Sequence, residues 1–353
     1  MRLAIHHDHI VQRNGEEQSF SRRWIELASE RGVQTRLVDI EREDLFAALQ
    51  DCDGFLWRFG FDAWSLQVGK RVLPAVEQGL GIPVFPSWKT CWHFEDKISQ
   101  FYLMRAASIP TPRTWIFWNR SEALSFFEQT KWPLVAKLAV GIQSNNVRML
   151  SDRNEAKDVA DQIFGGGLDT LQPPADPLKR AMRHRWQALR LTLGKPLPDT
   201  LQHGYFYVQE FLPENEYDTR VTVIGKRGFA FRRLNRPGDF RASGSGRIDF
   251  DPAQIDPETI ELAFDVAGTL DTQSIAIDGL RRGDERVVSE ISYTYAAWAV
   301  RDCPGHWVRG ESGERGDLRW VPGQLRPEDA IFADFLDTAS RCPRHSLPVR
   351  VRA

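Results

Sequence analysis

The chain has 353 residues, of which 42% are hydrophobic and 27% charged; that is too long for one typical core and too apolar for disorder. Its 46 basic and 48 acidic side chains leave a net charge of −2, which argues against wholesale nucleic-acid binding. Four scattered cysteines (Cys52, Cys91, Cys303, Cys342) form no CxxC pair, so a reducing, cytoplasmic setting is expected without a zinc site or disulfide framework. No signal-peptide core precedes His6-His7-Asp8-His9, and no apolar run approaches the roughly 20 residues of a membrane span.

The first ninety residues alternate strand and helix signals. Strands are expected at Leu3–Ile5, Val33–Ile40, Gly54–Trp57 and Ile82–Phe85, and helices at Ser21–Arg31, Glu43–Gln50 and Lys70–Gln78. That rhythm predicts a small βαβ sheet with mostly parallel strands. A helix over Phe94–Ala107 follows, and after it strands at Thr114–Trp118, Leu134–Ala139 and Asn146–Leu150. Asp176 and Pro177 then suit the start of an amphipathic helix over 177–193 with a basic outer face. That face is read as solvated, with an anionic substrate, a partner or a membrane surface as the other readings. The last third reads as antiparallel strands (Tyr205–Leu212, Thr219–Gly225, Phe229–Leu234, Ser274–Asp278, Val287–Ser292) interrupted by a helix over Pro257–Leu270. After Cys303 only a short helix near Ala330–Thr338 is expected, before a mobile tail.

Three constellations carry chemistry. Lys137 stands within the apolar strand Leu134-Val135-Ala136-Lys137-Leu138-Ala139. It is either an edge-strand lysine whose stem snorkels to water or a cation awaiting an anion. Asp278 and Glu290 lie on two strands joined by a hairpin; if it is centred on Asp284 the two acids stand opposite each other and repel unless a cation intervenes. Oxygen ligands without Cys or His suit Mg²⁺, and Ser292, two residues on, shares the face of Glu290. Solvated strand-edge acids are the plainer reading of the same pair. The third constellation is Asp218-Thr219-Arg220, Arg232-Arg233 and Gly238-Asp239-Phe240-Arg241, whose guanidinium groups suit a polyphosphate or a carboxylate as well as a solvated sheet face. His6-His7-Asp8-His9 follows the first strand and is expected to line a substrate cleft, with metal binding the lesser reading. The tryptophans at 57, 64, 88, 92, 115 and 118 read mainly as core.

The ordered set of Glu95-Asp96-Lys97, Lys137, Gln209-Glu210-Phe211-Leu212, Asp218-Thr219-Arg220, Gly238-Asp239-Phe240-Arg241, Asp278 and Glu290-Ile291-Ser292 resembles the ATP-grasp superfamily. Ribosomal-protein glutamate ligases and glutathione synthetases are its nearest flavour. The resemblance implies an N-terminal Rossmann-like α/β domain (1–92, substrate side) and an ATP-grasp fold of two subdomains. The small one would span 93–205 and include the inserted basic helix, the large one 206–340, with a tail at 341–353. It also implies ATP with Mg²⁺ (or Mn²⁺ in its place). Lys97 and Lys137 would meet the phosphates, Gln209, Glu210, Phe211 and Leu212 would flank adenine, and Glu216 would take the ribose. Asp278, Glu290 and Ser292 would hold metal, while Arg220, Arg233 and Arg241 would face the γ-phosphate and acyl group. Residues 141–145 would form a lid.

The implied reaction is carboxylate–amine ligation through an acyl phosphate, releasing ADP and phosphate. The carboxylate would be a small molecule or glycan-linked, the acceptor an amine, and a homo-oligomer is compatible with the sequence. Ser292 replaces the family's usual Asn, and Ala242-Ser243-Gly244-Ser245-Gly246 lacks another. Two alternatives follow: a kinase acting on a hydroxyl, and a non-catalytic nucleotide-binding protein.

Overall fold

The structure, a computed structural model, describes residues 1–8, 19–141, 146–168, 171, 182, 185–186, 201–310 and 315–341. Most of the predicted 177–193 helix, most of the predicted lid and the tail beyond 341 lie outside those residues. Met182, Arg185 and Trp186 are helical and exposed. Among the described residues no helix is long and apolar enough to cross a membrane. Cys52, Cys91 and Cys303 are buried free thiols.

Strands β1 (Arg2–Ile5), β2 (Gln34–Leu37), β3 (Gly54–Leu56) and β4 (Val84–Phe85) form a wholly parallel sheet in the order β2-β1-β3-β4. Parallel strands need both faces covered, and alternation divides their side chains accordingly. Leu3, Ile5 and Leu56 pack with the helix Phe20–Glu30, while Ala4, Phe55 and Trp57 pack with the helices Leu45–Leu49 and Ala63–Ala75. The last of these begins seven residues before the predicted Lys70, because the Asp62 side chain accepts the Ser65 N–H at its N-terminus. The first face is completed from the other end of the chain: the helix Pro327–Arg341 contributes Ile331, Phe332 and Phe335 to that core.

The middle of the chain is more helical than expected. Strands β5 (Thr114–Phe117), β6 (Leu134–Lys137), β7 (Val147–Leu150) and β8 (Phe206–Glu210) form an antiparallel sheet in the order β5-β8-β6-β7. Its back is covered by helices Arg120–Gln129 and Arg153–Gly165, which were not predicted; Phe127, Ala156, Val159 and Ile163 meet Leu134, Ala136 and Val208 there. Since β8 belongs to this sheet, the chain crosses to the next one after Glu210 and not at residue 205.

The largest sheet has the order β13-β12-β9-β10-β14-β15, with β11 (Ile248–Asp249) off β10. Its strands are β9 (Tyr217–Ile224), β10 (Arg227–Leu234), β12 (Ser274–Arg282), β13 (Glu285–Ser292), β14 (Gly305–Arg309) and β15 (Leu318–Pro322). The last two were unforeseen. The helix Pro257–Thr269 packs on one face, against Val221, Val223, Ile275, Ile277 and Ile291. Period-2 alternation therefore turns Arg220, Asp278 and Glu290 to the opposite face.

His93 is fully buried, and neither ring nitrogen has a hydrogen-bond partner among the described residues. Burial, reinforced by the charge of Lys70, lowers its pKa from 6.5 to about 4. The native state therefore favours the neutral ring. That contribution is intact above pH 6.5 and is lost as pH falls from 6.5 through about 4, by up to about 3 kcal/mol. His93→Phe is expected to flatten this part of the acid sensitivity. Urea unfolding of both proteins from about pH 7.5 to about pH 4.5 checks it: parallel stability curves would show that His93 is not the group responsible.

Candidate active site

A cavity opens between the face of the β5–β8 sheet turned away from its two helices and the charged face of the largest sheet. Val135, Lys137, Val147 and Gln209 line it from one side, and Asp218, Arg233, Asp278, Ser289 and Glu290 from the other. The Glu210–Leu212 crossing and the Phe240–Ser243 segment close its ends.

The charged face follows from strand register. Asp278 pairs with Arg220 on β9 and with Glu290 on β13, while Arg233 pairs with Asp218. The turn places Arg282 opposite Glu285, a pairing that by itself would set Asp278 against Ser289; a register shift beside Gly279 brings Glu290 there. Ser289 is the extra residue of this bulge, and its hydroxyl donates to the Asp278 carbonyl at 3.1 Å. Neighbouring residues 289 and 290 consequently both reach the cavity.

Asp278 is held by two guanidinium groups. Arg220 Nε and Nη2 donate to its oxygens at 2.7 and 2.8 Å, and Arg233 Nη2 donates at 2.6 Å. Arg233 also makes two bonds to Asp218, at 2.7 and 2.6 Å. Burial works against the charge on Asp278, yet Arg220 and Arg233 outweigh it and hold the carboxyl well below the usual range. Asp218 moves the other way, raised chiefly by burial despite Arg233. Arg220 is thus committed to Asp278 and is absent from the cavity wall, whereas Arg233 is part of it. Arg241 lines the cavity while bonded to Asp239 at 2.6–3.0 Å.

Both predicted lysines converge on Glu290. Lys97 follows Asp96, whose carboxylate caps its helix by accepting the Ile98 and Ser99 N–H groups. Lys97 Nζ lies 3.2 Å from Glu290 and donates to the Gly141 carbonyl at 3.0 Å, where the predicted lid begins. Lys137 lies on β6, which is flanked by β8 and β7, so the edge-strand reading is excluded. Burial lowers its pKa to about 8, against the attraction of Glu290. Glu95, which the sequence reading gave no role, stands beside these groups; burial raises its pKa to about 7, with Lys97 pulling it down.

Other expectations are displaced. Glu210 lines the cavity, but its carboxylate accepts the Arg113 N–H and Nε at 2.7 and 2.6 Å and Arg282 Nη1 at 3.2 Å. These bonds hold its pKa below the usual value although burial opposes them. It is therefore tied into the hinge, and the chain past it, Phe211 and Leu212, lines the cavity. Gln209 Nε2 donates to Thr114 at 2.9 Å. Glu216 is exposed and outside the lining, where Asn215 and Asn235 stand instead. Ser292 donates to the Thr294 carbonyl at 2.7 Å and is likewise outside the lining.

A divalent cation fits Asp278 and Glu290 better than it fits Ser292. A carboxylate offers about four lone-pair sites; the three guanidinium bonds to Asp278 leave one on Oδ1. Two carboxylates completed by phosphate and water oxygens suit Mg²⁺. Among the described residues there is no cluster of three or more His, Cys, Asp or Glu side chains able to hold a metal ion. In the His6-His7-Asp8 segment, Asp8 accepts the Phe20 and Ser21 N–H groups, each at 2.9 Å. His9 lies outside the described residues.

Residues 183–296 match the family model described as a RimK-like ATP-grasp domain. The alpha-aminoadipate–LysW ligase LysX of Saccharolobus solfataricus is 25% identical over 204 residues, which cover 58% of this chain and 62% of that protein. The match therefore spans less than two thirds of the relative's length. Among solved structures, the RimK domain ATP-grasp protein of Sphaerobacter thermophilus aligns over 95% of this chain and 99% of its own, with a TM-score of 0.52 and 19% identity. The ATP-grasp ligase PsnB, solved with a minimal precursor, Mg and ADP, aligns over 96% and 98%, with a TM-score of 0.53 and 14% identity. At these identities the structural likeness establishes the fold.

Proposed function

We propose that this chain, which carries a RimK-like ATP-grasp domain, is an ATP- and Mg²⁺-dependent carboxylate–amine ligase. The observation that carries the reading is the convergence of Lys137, Arg233 and Arg241 with the cross-strand acids Asp278 and Glu290 around one cavity, with Lys97 behind Glu290 at 3.2 Å. Phosphoryl transfer to a carboxylate brings anions together, so fixed cations must neutralise them and hold them in line. Lys97 and Lys137 are assigned to the nucleotide phosphates, and the backbone of Phe211 and Leu212 to the adenine edge. Asp278 and Glu290 would hold Mg²⁺, or Mn²⁺ in its place, which supplies further neutralisation of the phosphates.

In the reaction a substrate carboxylate oxygen attacks the γ-phosphorus, the bond to the bridging oxygen breaks, and ADP leaves. An amine that has given up a proton to solvent then attacks the acyl carbon, phosphate leaves, and the nitrogen releases a second proton to solvent as the amide forms. Arg233 and Arg241 face the transferred group. A small or glycan-linked acid and an amine remain the substrate classes, and the buried free thiols suit a cytoplasmic setting.

Calorimetric titration of ATP with Mg²⁺ into the full chain tests the nucleotide half; binding is expected, and Glu290→Gln is expected to weaken it by about tenfold (about 1.4 kcal/mol). A screen of acids and amines for ADP release tests the rest. ADP release that needs both an acid and an amine supports the ligase. A stable phosphorylated product formed without amine would make it a kinase, and binding without any turnover would make it a nucleotide-binding protein.

A further inference from the structure

A second cavity, of 540 Å³, lies in the N-terminal domain and has no part in the nucleotide site. It sits where His6, His7 and Asp8 leave β1, Val38 and Asp39 leave β2, and Trp57 to Gly60 leave β3. In the order β2-β1-β3-β4 the chain runs from β1 to one neighbour and then crosses to the other. The cavity is therefore at the carboxyl ends of parallel strands, at the point where strand order reverses, which is where open α/β sheets hold ligands.

Its chemistry is distinctive. Trp57, Phe59 and Trp64 form an aromatic wall, with Trp57 and Trp64 centred 6.1 Å apart. Asp39, Glu41 and Asp62 supply carboxylates. Asp39 and Glu41 are exposed and make no ion pair among the described residues, and Asp62 spends one oxygen on the Ser65 N–H at 2.9 Å. The neighbouring Arg42 pairs with Asp44 at 2.8 Å. Arg58, the arginine among the described lining residues, is buried; it donates to Thr294 Oγ1 at 3.0 Å and to the Tyr295 carbonyl at 2.8 Å, and its guanidinium carbon lies 4.0 Å over the Phe20 ring. Burial lowers the pKa of His6, favouring a neutral ring beside Trp57. Negative charge beside aromatic faces selects organic cations.

Hydrogen bonds also join the cavity wall to the chain that follows β13. Tyr293 donates to the Phe59 carbonyl, and Arg58 grips Thr294 and Tyr295, three to five residues beyond Glu290. An extended chain covers at most about 3.6 Å per residue, so these three residues lie within roughly 18 Å of Glu290.

We propose that this cavity binds an organic cation, the alkylammonium or guanidinium group of one substrate of the ligase, recognised there while its reacting end lies toward Glu290. That substrate assignment rests on the ligase reading; the cation site itself does not. Saturation-transfer NMR on the full chain, with 1,5-diaminopentane and agmatine as probes and glutarate as the anionic control, tests it. Both cations are expected to bind and glutarate is not. Asp39→Asn/Glu41→Gln and Trp64→Ala should each weaken the cations by about tenfold while ATP–Mg²⁺ binding, read by calorimetry on the same samples, is unchanged. Absence of cation binding, cation binding unaltered in both variants, or glutarate binding in their place would overturn the proposal. Cation binding without ATP binding would leave this site standing and remove the ligase reading.

Discussion

Asp278→Ala is expected to lower the unfolding free energy by about 3–5 kcal/mol and to abolish nucleotide turnover. Arg220, Arg233, Asp218 and Asp278 form a neutral, largely buried set of two cations and two anions. Removing Asp278 leaves two guanidinium groups to share Asp218, and a charge stripped of its partner in a buried place is costlier than the pair was worth. Balance can be restored by removing Arg220 as well, because Arg233 and Asp218 remain bonded to each other at 2.7 and 2.6 Å. The double variant Asp278→Leu/Arg220→Met is therefore expected to be more stable than Asp278→Leu alone, despite losing more contacts. Its turnover should stay absent, since the oxygen on Asp278 is gone. Urea unfolding and ADP release on the wild type, Asp278→Leu, Arg220→Met and the double variant check this. Additive destabilisation in the double variant would show that the four charges do not act as a unit.

The site was legible in the sequence to the extent that period-2 alternation and hairpin pairing could carry it. Lys137 in an apolar strand and two acids at the ends of a hairpin are local patterns. Even so, the pairing of Asp278 with Glu290 rests on the Ser289 bulge, which no turn signal announces. The helix Arg153–Gly165 did leave a signal, since Ala156, Val159, Ala160 and Ile163 are spaced as one helical stripe. By contrast β14 and β15 are five residues each and bounded by Gly305 and Pro322, so tertiary pairing and not propensity makes them strands. The partners of Glu210 were out of reach for a different reason. Arg113 and Arg282 meet it from 97 and 72 residues away in opposite directions along the chain. No periodicity records such side-chain pairings, and they decide whether a carboxylate in the hinge is available to a ligand. Closure of the parallel sheet by the helix Pro327–Arg341 is a contact of the same long-range kind.

Lys137→Met is expected to reduce kcat/KM for ATP by about 10²–10³, or about 3–4 kcal/mol of transition-state stabilisation, while making the nucleotide-free protein more stable. The two effects share one cause. Lys137 stands within an interior strand, and burial lowers its pKa from 10.5 to about 8, so the charged form is disfavoured until an anion arrives. Below pH 8 the folded chain carries that strain in full; it is relieved as pH rises from about 8 to 10.5 and the amine loses its proton in the native state. Methionine keeps the unbranched stem without the charge. Discounted for the part of the side chain that water still reaches, the gain is about 1–2 kcal/mol near neutral pH and shrinks toward pH 10. A lysine that served only the fold would behave in the opposite way, with substitution costing stability and leaving turnover largely intact. Thermal unfolding across that pH range, set beside ATP kinetics, separates the two cases: lower stability with preserved turnover would remove Lys137 from the nucleotide site. Higher stability with lost turnover is the pattern of a charge held ready for a ligand, at some expense to the fold that holds it.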